Sequence, residues 1–166
     1  MLTFERAKTE WQLNELLELA YGQYSPTLRP TLDLIQLTWN QFGKVFRQRG
    51  LVFRALKDGK LAGGCWVEIC GDVLMIHGLL VKAVYRRQGI GTWILHMLQK
   101  VFEGRVQVME LDVHCSKPAA IALYEKFGFE LVATKAETGF YRMQKWLQPM
   151  GHPEVAEISA APTRLR

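Results

Sequence analysis

The chain of 166 residues has little cysteine, no long apolar run and no internal repeat, and each shortage excludes something. Three cysteines, Cys65, Cys70 and Cys115, form no CxxC pair and no Cys/His metal spacing. That excludes a disulfide framework and a structural zinc site, and points to reduced thiols in a cytoplasm. The longest apolar stretch, around Val73 to Val81, is interrupted by His77 and falls well short of the roughly 20 residues a membrane helix needs, so no membrane partner is expected. Met1 to Lys8 alternates as a strand does and lacks the basic start, apolar middle and small-residue cleavage site of an export signal, which again leads to the expectation of a cytoplasmic protein. The surplus of 21 Lys and Arg over 16 Asp and Glu gives +5, spread along the chain. It suits an anionic ligand, but without an RNP, KH or zinc-finger pattern no nucleic-acid partner is expected.

What is present is the composition of one globular domain: 49% of the residues are hydrophobic and 22% charged, enough apolar material for a core that folds unaided. The expected domain spans 1–147. From Gln148 the chain turns to Pro, Ala, Gly, Glu and Arg without periodicity, so 148–166 reads as a C-terminal tail. Such a tail is removable unless it docks on the domain or on the second subunit of a homodimer.

Within 1–147 the hydrophobic period alternates between that of strands and that of helices. Strands are expected over 2–8, 51–57, 60–70, 73–82, 106–114, 129–136 and 140–147. Asp58-Gly59 and Gly71-Asp72 are two-residue hairpin turns, which make the second to fourth strands antiparallel neighbours. Thr9-x-x-Gln12 is a capping box opening a helix that ends near Tyr24, before Pro26. A second helix is expected over 31–49, with Leu34, Leu37, Phe42, Val45 and Phe46 on one face. Ile90, Trp93, Ile94, Met97, Leu98, Val101 and Phe102 recur at helical spacing up to Gly104, and a short helix over 118–127 begins with Pro118 and stops at Gly128. Strand, helix and strand over 73–114 imply a right-handed crossover between parallel neighbours. The expected class is therefore α/β, a mixed sheet of about seven strands flanked by about four helices.

The first segment with chemistry is Leu79-Leu80-Val81-Lys82-Ala83-Val84-Tyr85-Arg86-Arg87-Gln88-Gly89-Ile90-Gly91-Thr92, a basic loop joining a strand end to a helix start. A helix N-terminus presents backbone N–H groups without acceptors, and glycines let an anion come close to them. Lys82, Arg86 and Arg87 add attraction for a diphosphate; the plainer reading is a tight turn under a solvated basic surface. Gly78 inside a strand marks a bulge, a close backbone approach or a gap beneath Trp66 or Trp93. Glu110, Asp112 and His114 share one face of a strand expected to be covered on both sides, which implies a wet cavity. Asp112, with Glu68 and His77 on neighbouring strands, is a candidate proton acceptor, against the plainer reading of salt-bridged or rim residues.

The second segment is Leu111-Asp112-Val113-His114-Cys115-Ser116-Lys117 followed by Pro118-Ala119-Ala120-Ile121-Ala122-Leu123-Tyr124-Glu125-Lys126-Phe127-Gly128-Phe129. With Arg86-x-x-Gly89-x-Gly91 and Ala120-x-x-Leu123-Tyr124-x-x-x-Gly128-Phe129 in order, the chain resembles the GNAT superfamily of acetyl-CoA-dependent N-acetyltransferases. The stretch from Leu111 is similar to the L-E-V-R-x-x-N of the subgroup that acetylates protein N-termini, ribosomal-protein alanine included. Asp112 stands at its Glu, His114 at its Arg and Lys117 at the Asn that bonds the pantetheine arm.

The resemblance implies a GNAT-like fold with the crossover at the cofactor site, acetyl-CoA as donor, no metal, and a small-molecule or peptide amine as acceptor. It implies that the backbone of Leu79, Leu80 and Val81 pairs with the pantetheine arm. The backbone of Arg87, Gln88, Gly89, Ile90, Gly91 and Thr92, with Arg86 beside it, would hold the pyrophosphate. It also implies that Tyr124 faces the cofactor sulfur, where a phenol can assist the leaving thiolate; by composition alone Tyr124 would be a core aromatic beside Phe127. The implied reaction is direct attack of the amine in a ternary complex. The alternative is a catalytically silent CoA-binding adaptor or sensor. The segment around Tyr21 to Thr31 follows no pattern that ties it to one acceptor.

Overall fold

The structure, a computed structural model, describes the backbone of residues 1–34 and 39–147 and the side chains of 1–22 and 40–147. The expected tail 148–166 and the Leu37 position lie outside the described residues. In chain order the elements are β1 (Leu2–Arg6), α1 (Glu10–Leu34), α2 (Trp39–Arg49), β2 (Leu51–Lys57), β3 (Lys60–Cys70) and β4 (Val73–Val81). A 3-10 turn (Ala83–Tyr85) leads to α3 (Ile90–Val101), β5 (Val108–His114), α4 (Pro118–Phe127), β6 (Glu130–Lys135) and β7 (Phe140–Trp146). The fold is mixed α/β, with one seven-stranded sheet in the order β1-β2-β3-β4-β5-β7-β6. Among the described strands only β4 and β5 run parallel, and α3 is the crossover that makes this possible.

Local chemistry fixes most of these boundaries. Asp58 and Gly59 both hold positive φ, 51° and 76°, the backbone a tight hairpin needs between β2 and β3. The capping box closes in both directions: Thr9 Oγ1 accepts from the Gln12 backbone N–H at 3.2 Å, and Gln12 Oε1 accepts from the N–H groups of Lys8 and Thr9 at 2.8 and 3.1 Å. The helix it opens does not end near Tyr24. Its backbone stays helical through Pro26 and Pro30 to Leu34, and the next helix begins at Trp39 rather than at Thr31. Proline in a helix interior costs about 3 kcal/mol, a penalty rather than a prohibition, and here it does not end the helix.

The sheet separates two apolar layers. On one face Leu16, Leu17 and Phe46 from α1 and α2 bury Val52 and Trp66. On the other, Ile94, Leu95 and Leu98 of α3 lie fully buried with Leu74, Met109 and Leu111. Each such side chain is worth about 1.5–3 kcal/mol of burial, so the α3 stripe dominates the anchoring of the crossover.

On β5, the strand expected to be covered on both sides, the face that carries Glu110, Asp112 and His114 meets side chains of the neighbouring strand β7. Asp112 lies opposite Arg142, Glu110 opposite Gln144 and His114 opposite Phe140. The result is a ladder of cross-strand pairs whose Asp112 and His114 end also lines an open cleft.

Candidate active site

A change of register in β4 creates the site. β3 pairs with β4 from Gly63–Val81 to Trp66–Gly78, then from Val67–Ile76 to Cys70–Val73. His77 is thus an extra residue, a bulge, with Gly78 beside it as the glycine in the strand suggested. The parallel ladder between β4 and β5 runs from Val73–Val108 to Ile76–Leu111 and goes no further, although the strands continue to Val81 and His114. Where they part, a cleft of about 1280 Å³ opens, with Leu79, Leu80 and Val81 on one side and Asp112, Val113 and His114 on the other. That exceeds the roughly 300–1,000 Å³ of ordinary small-molecule pockets and leaves room for an extended ligand together with a second molecule.

One end of the cleft lies at the start of α3. Arg87 and Gly89 take left-handed φ of 58° and 76°, and Gly89 caps the helix without a side-chain acceptor. The first-turn N–H groups are therefore available to an anion. Arg86, Arg87, Gly89, Ile90, Gly91 and Thr92 line the cleft here, and Lys117 and Lys126 are also in its lining. The Arg86 Nε donates to the Val81 carbonyl at 3.3 Å and ties the loop back to β4. These residues fit a diphosphate.

Two of the expected contacts sit differently. The Gln88 side chain donates to the Val84 carbonyl at 3.2 Å and accepts from Lys57 at 2.6 Å, outside the cleft lining, which leaves only its backbone for a ligand. At Gly91 an added Cβ would meet Leu123 Cδ2 at 3.1 Å, so its smallness serves the approach of α3 to α4 and not only that of a ligand.

Tyr124 of α4, also in the lining, is 7% exposed, with its ring 5.7 Å from that of Phe129. His77 lines the cleft on the α1/α2 face, tilted over Trp66 at 4.7 Å between ring centroids. Its Nε2 lies 3.0 Å from Glu68 Oε2, and both side chains are 32% exposed, open enough to exchange protons with water. Glu68 is not itself in the lining and reaches the cleft through His77.

Asp112 lines the cleft but is occupied. Lys135 Nζ donates to it at 2.6 Å, and Arg142 donates through Nε at 3.0 Å and through a terminal nitrogen at 3.2 Å. Burial works against its ionisation, but the hydrogen bonds and charges of Arg142 and Lys135 outweigh that and hold the carboxyl below the usual carboxylate range. A carboxyl held in this way binds a proton weakly. His114 is held by Ser116, 2.7 Å from its Nδ1, and by the Phe140 ring.

Lys135, Arg142 and Gln144 were not anticipated. A signal existed: Phe140, Arg142 and Gln144 stand at i, i+2 and i+4 and mirror His114, Asp112 and Glu110. Also unanticipated was the apolar wall of Leu16, Ala20, Phe42, Phe46, Trp66 and Met75 that bounds the cleft on the α1/α2 face.

The family model described as the acetyltransferase (GNAT) family matches residues 11–129. The chain belongs to this family. Among GNAT relatives, the ribosomal protein bS18-alanine N-acetyltransferase of Escherichia coli is 34% identical over 83 residues, covering 49% of this chain and 56% of that protein. The N-alpha-acetyltransferase 50 of Danio rerio is 44% identical over 99 residues, covering 53% of this chain and 58% of that protein. The matches thus span little more than half the length of these relatives. The crystal structure of the Escherichia coli ribosomal-protein alanine N-acetyltransferase superposes with a TM-score of 0.69 at 23% identity, over 92% of this chain and 97% of that one. The PaiA N-acetyltransferase of Thermoplasma acidophilum, in complex with coenzyme A, gives 0.68 at 19% identity over 87% and 99%. An aminoglycoside 6'-N-acetyltransferase, also with coenzyme A, gives 0.68 at 15% identity over 91% and 99%. At such identities the GNAT fold is what these structures share with the chain.

Proposed function

We propose that the chain transfers an acetyl group from acetyl-CoA to a primary amine, in a small molecule or at a peptide terminus, by direct attack within a ternary complex. The observation that carries this reading is the one cleft that passes from the basic N-terminus of α3, between β4 and β5, to the face bearing His77. Donor and acceptor can meet there without a covalent relay, and holding two reactants together is itself worth several kcal/mol.

Acetyl-CoA, when bound, supplies a thioester carbonyl as the electrophile. Backbone N–H groups from Arg87 to Thr92 and the Arg86 and Arg87 guanidiniums bind its pyrophosphate. Leu79, Leu80 and Val81 orient the arm in the manner of a strand, with Lys117 beside it, and a backbone N–H near Leu80 polarises the carbonyl. An alkylammonium near pKa 10 has no lone pair, so the acceptor must first lose a proton. His77, oriented by Glu68, takes that proton directly or through water. As the C–N bond forms and the C–S bond breaks, the nitrogen gives up its second proton to water, Tyr124 protonates the departing sulfur and regains a proton from solvent, and His77 releases to solvent the one it took. A cytoplasmic setting agrees with three free cysteines.

The test is release of the CoA thiol from acetyl-CoA by the full chain with a panel of amines, the acetylated product being identified by mass. Amine-dependent release is expected. Acetyl-CoA binding without release for any amine would mark the chain as the silent adaptor or sensor instead.

A further inference from the structure

The acceptor face of the cleft has a charge pattern that bears on which amine it takes, given the transferase reading above. Among the described residues, the lining carboxylate Asp112 and the two behind the lining, Glu110 and Glu68, are already engaged. Asp112 holds Lys135 and Arg142, Glu110 accepts from Gln144 and faces Arg142 at 3.4 Å, and Glu68 is bonded to His77. The wall on the α1/α2 side is apolar: Leu16, Ala20, Phe42, Phe46, Trp66 and Met75. A second ammonium brought to this face would meet Lys135 or lose water against apolar surface, and either is unfavourable.

We propose that the acceptor is an amine with a single positive charge and an apolar neighbouring group, rather than a polyamine or an aminoglycoside. One ammonium enters, is deprotonated at His77, and its apolar substituent lies against the Phe42 and Trp66 wall. Recognition by burial of apolar area replaces the several carboxylates that a polycation requires.

The test compares CoA release by the full chain with two tripeptide amides that differ only in a first residue of leucine or lysine, alongside spermidine and kanamycin. The leucine peptide is expected to have a kcat/KM at least about 10-fold above that of the lysine peptide and above both polycations. Lys135→Glu, which adds a negative charge at the mouth, should narrow the leucine-to-lysine ratio, and added salt should narrow it in the unaltered chain by screening the repulsion. Equal or better turnover of the lysine peptide, spermidine or kanamycin overturns the inference and leaves acetyl transfer standing. An unchanged ratio in Lys135→Glu overturns the claim that charge sets it. No release with any amine despite acetyl-CoA binding overturns the transferase reading, and the inference falls with it.

Discussion

His77 and Glu68 face each other across β3 and β4, Nε2 to Oε2 at 3.0 Å, at the step where β4 gains a residue. The bulge turns an imidazole that regular pleating would space differently into the opening between β4 and β5, and the carboxylate behind it fixes which ring nitrogen carries a proton. His77→Gln should lower kcat by roughly 100-fold to 10,000-fold near neutral pH, the usual worth of a general base. The deficit should shrink as rising pH deprotonates the acceptor unaided. A pH-rate series on both proteins checks this, and a deficit constant with pH would assign His77 to packing on Trp66.

Asp112 should behave as a clamp. Its carboxyl is held below the usual range, so its contribution to stability is present above the unfolded pKa of about 3.9 and is lost as pH falls through the lower folded value. Asp112→Asn is expected to cost about 1–2 kcal/mol at neutral pH, and to flatten the acid limb of thermal stability below about pH 4. Melting curves between pH 2 and 7 test it. The same variant should lose turnover by a similar factor at every pH; a loss concentrated at low pH would return the proton-acceptor role to Asp112.

Cofactor binding should show itself in stability. Acetyl-CoA at 100 times its dissociation constant contributes about 2.7 kcal/mol, or roughly 5–10 °C in Tm for a domain of this size. Arg86→Ala with Arg87→Ala should shrink that shift and reduce its salt dependence. Both side chains are exposed, so apart from the loss of the Arg86 tie to the Val81 carbonyl the fold should be little affected. Gly91→Val is a poorer probe, because its side chain would press on Leu123 and lower Tm without any ligand.

Tyr124→Phe keeps the ring against Phe129 and removes the hydroxyl. Turnover should fall by roughly 10-fold to 1,000-fold with acetyl-CoA binding hardly changed. Unchanged turnover with weakened binding would make Tyr124 a packing residue. Single-turnover rates and the acetyl-CoA dissociation constant separate the two.

The parts of this site that depend on neighbours in sequence were legible there. The capping box of Thr9 and Gln12, the Asp58-Gly59 turn, the α3 stripe and the glycine at the β4 bulge all act within a few residues, and each occurs where the pattern placed it. What depends on register was not. That Arg142 and Lys135 neutralise Asp112 follows only once β7 lies beside β5 and β6 beyond it, more than twenty residues along the chain. The burden on Gly91 likewise comes from Leu123, across the α3–α4 contact. The path of α1 through Pro26 and Pro30 runs against a local rule that penalises proline in a helix interior without forbidding it.

Direct transfer in a shared cleft is tested most sharply by initial rates of CoA release measured while acetyl-CoA and an amine, such as the leucine-headed tripeptide amide, are varied together. Double-reciprocal lines that intersect are expected, because both molecules must occupy the cleft before the C–N bond forms. Parallel lines, with an acetylated chain detectable by mass when the amine is left out, would contradict it.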